Sequence, residues 1–182
     1  YSSDTIRHIN IDKGYAAGDT VEDYENWKQD YLGGYISGVI KSGHLSVIEH
    51  AVFTFSIEGI SRACSHQLVR HRIASYSQQS QRYVKFGNPN KGFDGCDFVV
   101  PPEIQNDEEL LDIFIEACAA SLAAYSDLRE ILEDRGRTHE QAQEDARYIL
   151  PNAAKTNITV TMNARSLFNF FNLRMCHRAQ WE

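Results

Sequence analysis

Residues 70–82 read Arg70-His71-Arg72-Ile73-Ala74-Ser75-Tyr76-Ser77-Gln78-Gln79-Ser80-Gln81-Arg82, and the chain is organised around them. Three guanidiniums and an imidazole are interleaved with the hydroxyls of Ser75, Ser77 and Ser80 and the amides of Gln78, Gln79 and Gln81. The window 59–93 holds six Lys or Arg and no Asp or Glu. At the chain-wide density of 25 acidic residues in 182, a window of that length would hold about five. A basic, donor-rich pocket inside an acidic protein suits a bound anion, most readily a phosphate, whose oxygens accept paired guanidinium N–H groups. The other reading is a solvated basic face; the ordering of the residues favours the pocket.

Upstream of this segment, Ala51–Glu58 alternates Phe53, Phe55 and Ile57 with Thr54, Ser56 and Glu58, which predicts a strand ended by Gly59. Ile60–Val69 then predicts a short helix that delivers His66, Gln67 and Arg70 into the basic segment. His66 and His71 are five apart rather than four, a poor helical spacing for a shared metal, so no metal site is expected. Earlier still, Gly43-His44-Leu45-Ser46 forms a glycine-led turn that presents His44, with His50 close behind. Glu22–Ser42 reads as a helix, acidic at its start and followed by Gly43. Its Tyr24, Trp27, Tyr31, Tyr35 and Val39 recur at helical spacing and are expected in the core. Tyr1–Thr20 is polar and aperiodic, a loop.

Downstream, the Gly, Asn and Pro residues of 83–97 predict an exposed loop, a candidate lid beside the basic segment. A short strand over 97–100 is stopped by Pro101-Pro102. Asn106 or Asp107 caps a long helix to about Asp134, with Leu110, Phe114, Cys118, Leu122, Tyr125, Leu128 and Leu132 along its apolar stripe. Thr138 and Gln141 have capping-box spacing for a helix running to about Leu150 and halted by Pro151. Arg147, in its last turn, either complements the helix C-terminus or serves a site. Thr156–Asn163 is a second strand, and Ala164 to at least Arg178 a last helix. At about 100° per residue, Arg165, Asn169 and Asn172 share one polar face. Arg174 lies opposite, among Leu167, Phe170 and Phe171. An arginine centred in an apolar stripe needs an anionic or carbonyl partner, in a ligand or in an internal salt bridge. A helix with polar groups on opposed faces borders two sites, which predicts sites formed between subunits.

A chain of 182 residues predicts a single domain over 1–182. The net charge of −7 argues against general nucleic-acid binding. Cys64, Cys96, Cys118 and Cys176 are scattered without a CxxC pair, so neither a disulfide framework nor a zinc knuckle is expected, and the setting reads as reducing and cytoplasmic. No run suits a membrane span or a signal peptide. Both ends look trimmed: the chain opens without Met and stops at Trp181-Glu182 without a helix stop signal.

Arg70-His71-Arg72, seven residues and then Ser80 resemble the signature of the flavin-dependent thymidylate synthases. Gly43-His44 with Glu49-His50 resembles the family's histidine-bearing turn, and Arg147 before Leu150-Pro151 its substrate-binding arginine. Asn163-Ala164-Arg165-Ser166-Leu167, Asn169, Asn172-Leu173-Arg174 and Ala179-Gln180-Trp181-Glu182 are similar to its C-terminal helix. The resemblance runs from about Ser42 to Glu182. Gln78 stands where some members carry Glu, and Cys176-His177-Arg178 matches no part of the pattern.

The resemblance implies an α+β fold with a central, mainly antiparallel sheet flanked by helices, and a homotetramer whose active sites are shared between subunits. The implied reaction is reductive methylation of dUMP, with methylenetetrahydrofolate giving the carbon, FAD the hydride, and NADPH reducing the flavin. Gln67, Arg70, Gln78, Ser80, Gln81, Arg82, Arg147 and Arg174 correspond to dUMP contacts. Ser46, Arg70, His71, Arg72, Gln78, Asn163, Arg165 and Asn169 correspond to FAD contacts. His44 resembles the histidine near flavin and folate, and Arg174 the arginine that polarises the uracil. Two other classes compete: a flavin reductase, and an RNA- or nucleotide-binding module on the basic 62–91 segment, with Tyr76 and Tyr83 as stacking platforms.

Overall fold

The structure is a computed structural model that describes residues 33–87 and 97–182. The chain divides into two compact units, 1–50 and 51–182. In the first, residues 33–41 are helical. Gly43, at φ +80°, turns the chain as a glycine after a helix does. The His44 amide reaches back to the Val39 carbonyl (3.2 Å), and a 3-10 turn, Leu45–His50, follows. Tyr35 is exposed rather than core. The expected loop over 1–20 and the start of the expected Glu22–Ser42 helix, with Tyr24, Trp27 and Tyr31, lie outside the described residues.

The second unit runs β1 (Val52–Ser61), α1 (Arg62–Leu68), β2 (Ser75–Gln78), α2 (Pro102–Gln105), α3 (Glu108–Asp134), α4 (His139–Ala146), β3 (Lys155–Asn163) and α5 (Ala164–Arg174). The strands form one antiparallel sheet in the order β1-β3-β2, so the α+β expectation holds. In β3 every second residue (Thr156, Ile158, Val160, Met162) is buried. Phe55 and Ile57 of β1 and Tyr76 and Gln78 of β2 stand beside these on the same face.

Five boundaries differ from expectation. β1 does not end at Gly59 but bulges there: at φ +71° the glycine takes a bulge conformation, its N–H donating to Asn157 Oδ1 (3.0 Å). The following helix therefore starts at Arg62, capped by Ser61, whose Oγ accepts from the Cys64 amide. Pro101-Pro102 does not end a strand; Phe98 makes a single bridge to Ala154, and Pro102 begins a short helix, where its missing N–H costs nothing. The helix before Pro151 ends at Ala146 and tightens into a 3-10 turn, Arg147–Ile149. The last helix ends at Arg174, short of Arg178; beyond it come the closing Met175–Phe171 bond and a single turn, in which the Ala179 amide donates to the Cys176 carbonyl (2.9 Å).

The long helix is as expected. Asp107 caps it through the Leu110 amide, and Gly136, at φ +89°, follows its end. Its stripe is buried only in the middle: Cys118, Leu122 and Tyr125 join Phe98, Ala146 and Ala154 in one core cluster, while Leu110 and Leu128 are exposed. A second cluster lies under the sheet, where Ile158, Val160 and Met162 meet Leu68, Tyr76 and Leu167. Of the expected 83–97 loop, 88–96 fall outside the described residues. Before them, Phe86 is pinned against Phe98 and Tyr125, with ring centroids 5.4 and 6.5 Å away. Gly87 follows at φ +63°, where a Cβ would come 2.6 Å from Leu122 Cδ1.

Candidate active site

Within 70–82, the part that sequence reasoning left without an element, Ser75–Gln78 adds to the edge of β3 as β2. This folds the chain back so that Tyr76 reaches the end of α1. Its hydroxyl proton is shared between the carbonyls of Leu68 (2.9 Å) and His71 (2.7 Å). Burial raises the phenol pKa, keeping the hydroxyl a donor. The bend that carries Arg70, His71 and Arg72 is thus tied to the sheet. His71 itself is buried, its ring edge-on to Phe170 at 4.8 Å.

Arg174 meets this histidine. Its Nε–H donates to His71 Nε2 over 2.8 Å. The partner demanded by an arginine on an apolar stripe is therefore an imidazole, not an acid. The bond requires Nε2 unprotonated. Burial first, and then the Arg174 charge, hold the His71 pKa below its ordinary 6.5. The unfolded chain thus takes up this proton more readily than the folded one. The stability contributed by the neutral ring is complete above about pH 6.5 and is lost as pH falls through the depressed folded value. Urea midpoints at pH 7.5 and 5.5 check this. Part of the acid-side loss in the wild type should be missing from His71→Gln; identical losses would refute it.

Arg174 and His71 line a cavity of about 220 Å³ with Gln67, Cys64, Phe170 and Ile57. Ala179, Gln180 and Glu182 close one side. The Glu182 carboxylate accepts from both the amide and the hydroxyl of Ser61. The segment after α5 is thereby fastened to the start of α1. Sequence reasoning missed this clamp and the Tyr76 anchor. Neither announces itself locally: Ser75–Gln78 has no apolar alternation to mark Tyr76 as inward-facing.

A second cavity, of about 350 Å³, lies on the opposite face of α1. Arg62 and His66 of α1, Gln81, Arg147, Tyr148 and Asn152 line it, and no acidic residue does. Arg147 lies over the Tyr148 ring at 5.9 Å. His66 was expected to reach the basic segment, and Arg62 opens the 62–91 stretch read as basic; what the topology adds is Arg147 beside them.

The remaining expected residues do not gather in these cavities. Gln78 points under the sheet and donates to Ser65 Oγ (2.9 Å) and Thr156 Oγ1 (3.3 Å). Asn163 caps α5, its Oδ1 accepting from the Ser166 amide (2.9 Å). Ser80 Oγ accepts from the Arg82 amide (3.2 Å), and Arg82 pairs with Glu144 (3.1 Å) at the surface. Arg70 and Arg72 are exposed, with no ion pair among the described residues. Arg165 and Asn169 are exposed on α5. His44 and Ser46 belong to the first unit, at the turn and in the 3-10 segment. Among the described residues, no group of three His, Cys, Asp or Glu is placed to hold a metal, and no helix is long and apolar enough to cross a membrane.

Residues 3–182 match a family described as "Thymidylate synthase complementing protein". The chain is 51% identical to the flavin-dependent thymidylate synthase of Nitratidesulfovibrio vulgaris, over 85% of this chain and 60% of that protein. It is 48% identical to that of Clostridium tetani, over 85% of this chain and 62% of the relative. The chain thus spans about three-fifths of the length of these curated relatives. Its structure is similar to the crystal structure of Thymidylate Synthase X from Helicobacter pylori with FAD and dUMP. The TM-score is 0.59 at 26% identity, covering 98% of this chain and 80% of that one.

Proposed function

The chain belongs to the thymidylate synthase complementing protein family, and from that premise we propose that it makes dTMP by reductive methylation of dUMP. Methylenetetrahydrofolate is the carbon donor and NADPH the reductant of a bound FAD. Supplied by the flavin is the hydride that completes the methyl group. The observation that carries the reading is the Arg174–His71 pair at the cavity wall. A carboxylate partner would have cancelled the guanidinium charge. A neutral imidazole orients it and leaves the charge for a ligand. Carbon 5 of uracil is a weak nucleophile, and a fixed cation beside the ring stabilises negative charge developing on it. Arginine does this without losing a proton of its own.

The residues fit both ligands. Arg70 and Arg72, exposed and without ion pairs among the described residues, suit the pyrophosphate of FAD, joined by His71, Arg165, Asn169 and Ser46. Gln67 with Arg174, and Gln81 with Arg147, serve dUMP, assisted by Arg70, Ser80 and Arg82; His44 stands with flavin and folate. The internal bonds of Gln78 and Asn163 make them supports of the site as the chain stands, and ligand contact by either requires those bonds to open. Exposed Val52, Phe53 and Phe55 on β1, and Phe168, Phe171 and Leu173 on α5, are apolar surface of the kind subunits cover, which supports a homotetramer with shared sites. We place the enzyme in the cytoplasm, acting as one catalytic domain on a free nucleotide, not on nucleic acid or at a membrane.

The test is the visible spectrum of the protein with FAD, titrated with dUMP, followed by an assay for dTMP. A flavin band that shifts saturably with dUMP, with dTMP formed, is the expected result. Bound flavin indifferent to dUMP would indicate a reductase. A folded protein without flavin, binding oligonucleotides in a salt-dependent way, would indicate the nucleic-acid module.

A further inference from the structure

We propose that Glu182 is a positioning residue for Arg174; the inference rests on the reading of the chain as a dUMP-methylating enzyme. Arg174 and Glu182 are eight residues apart, and they are bonded to opposite ends of α1. At one end, just past the helix, Arg174 Nε–H donates to His71 Nε2 (2.8 Å). At the other, the Glu182 carboxylate accepts from the Ser61 amide (2.6 Å) and hydroxyl (2.5 Å). Ser61 caps α1 and is 3% exposed. Its hydroxyl oxygen already accepts from the Cys64 amide (2.9 Å), and its one proton goes to Glu182. α1, the Arg174–His71 bond, residues 175–182 and the Glu182–Ser61 bonds thus close a ring. Cys64, Gln67, His71, Arg174, Ala179 and Gln180 of this ring line the cavity.

Length alone does not hold the ring shut. The seven residues of α1 rise about 10 Å, whereas eight residues of extended chain reach roughly 26–29 Å. The turn from Cys176 to Ala179 takes up part of the difference. The rest is held by two charge-assisted bonds to a buried serine, the strong class of hydrogen bond. Without them residues 175–182 are free to leave the cavity wall, and His71 holds the guanidinium through one of its five N–H groups. The reaction depends on the direction of that guanidinium, and a displacement of about 1 Å in such a group costs about a hundredfold in rate. Cys64 reports on the fastening: its Sγ lies 3.8 Å from the Glu182 carbonyl, and burial, then the Glu182 charge, raise its pKa.

The experiment uses the flavin-loaded full chain. Glu182→Ala is expected to lower turnover at saturating dUMP about ten- to a hundredfold, with a smaller change in KM. Glu182→Gln keeps an acceptor for the Ser61 amide and should recover much of the rate. In an Arg174→Ala background Glu182→Ala should cost little more, because its effect runs through the missing guanidinium. Equal cost in both backgrounds overturns the proposal. So does wild-type turnover in Glu182→Ala with only a lower urea midpoint, which marks a structural role. Alkylation of Cys64, read by peptide mass, needs no substrate. It should be several-fold faster in Glu182→Ala and clearly slower in Glu182→Gln than in Glu182→Ala. Equal acceleration in both variants would mean that the carboxylate acts on the thiol by charge and not by fastening, and overturns the proposal. The two readings fail separately. The expected labelling pattern in a protein that forms no dTMP refutes the enzymatic reading alone. Normal dTMP formation by Glu182→Ala refutes the positioning role alone.

Discussion

Arg174→Ala should lower dTMP formation by on the order of a hundred- to a thousandfold, the loss seen when one fixed donor to a developing anion is removed. Flavin should remain bound, because no backbone element depends on this side chain. Arg174 is the last residue of α5, and its side chain is largely exposed. One of its five N–H groups is engaged by His71, so four remain for a ligand in the cavity it lines. Arg174→Lys restores the charge but not the planar fork, nor the geometry that holds it to His71, and should recover only a small part of the rate. The measurement is turnover at saturating dUMP, with flavin absorbance as the control. Wild-type turnover in Arg174→Ala would remove the residue from the chemistry.

The largest stability effect is expected at Phe98. It is 1% exposed, at the centre of the cluster formed with Leu122, Tyr125 and Ala146. Its neighbours stitch the chain across that cluster: Val99 N–H donates to Ala153 and the Lys155 amide to Asp97 (2.9 and 3.0 Å). Phe98→Ala removes a ring that Phe86 packs against edge-on and leaves a void between α3 and the 151–155 turn. Such truncations cost about 3–5 kcal/mol, out of about 5–15 for a whole domain. Urea unfolding should show a lower midpoint with little change in slope. Because the 151–155 turn also carries Asn152, which lines the cavity with Arg147, dUMP affinity should fall with it. A loss below about 1 kcal/mol would mean that this cluster is not the core of the helical layer.

Which parts of this molecule can be read locally follows from where their causes lie. The caps of α3 and α4 are Asp107 and Thr138, each acting on a residue three positions on, and the alternation of β3 is its own burial pattern. These were legible. β2 was not: Ser75–Gln78 carries no apolar alternation, and its strand conformation is recruited by the open edge of β3, some eighty residues away. Gly59 reads locally as a stop, yet a bulge uses the same φ freedom to continue the strand. The site divides the same way. That Arg174 needs a partner is written in the apolar residues around it; that the partner is His71, 103 residues earlier, is settled by tertiary structure. Family resemblance supplied candidate roles for Gln78 and Asn163 but not their internal bonds, although Asn163 followed by Ser166 is a capping spacing that could have been read.

The strand order β1-β3-β2 has a consequence for synthesis of the protein. The central strand is made last: Thr54 and Thr161, neighbours in the sheet, are 107 residues apart. A ribosome adding about 5–20 residues per second takes roughly 5–20 s to cover that distance. Throughout that interval the emerging chain carries two strands that cannot pair with their eventual neighbour, one of them displaying Val52, Phe53 and Phe55. His71 leaves the ribosome in the same window and waits for Arg174. The sheet cannot form before residues 155–163 are out, nor the cavity that Arg174 lines before Arg174 and Glu182 are. The nascent protein is thus a natural client for chaperones that shield exposed strands, and a ribosome stalled before residue 155 would release a fragment prone to aggregate.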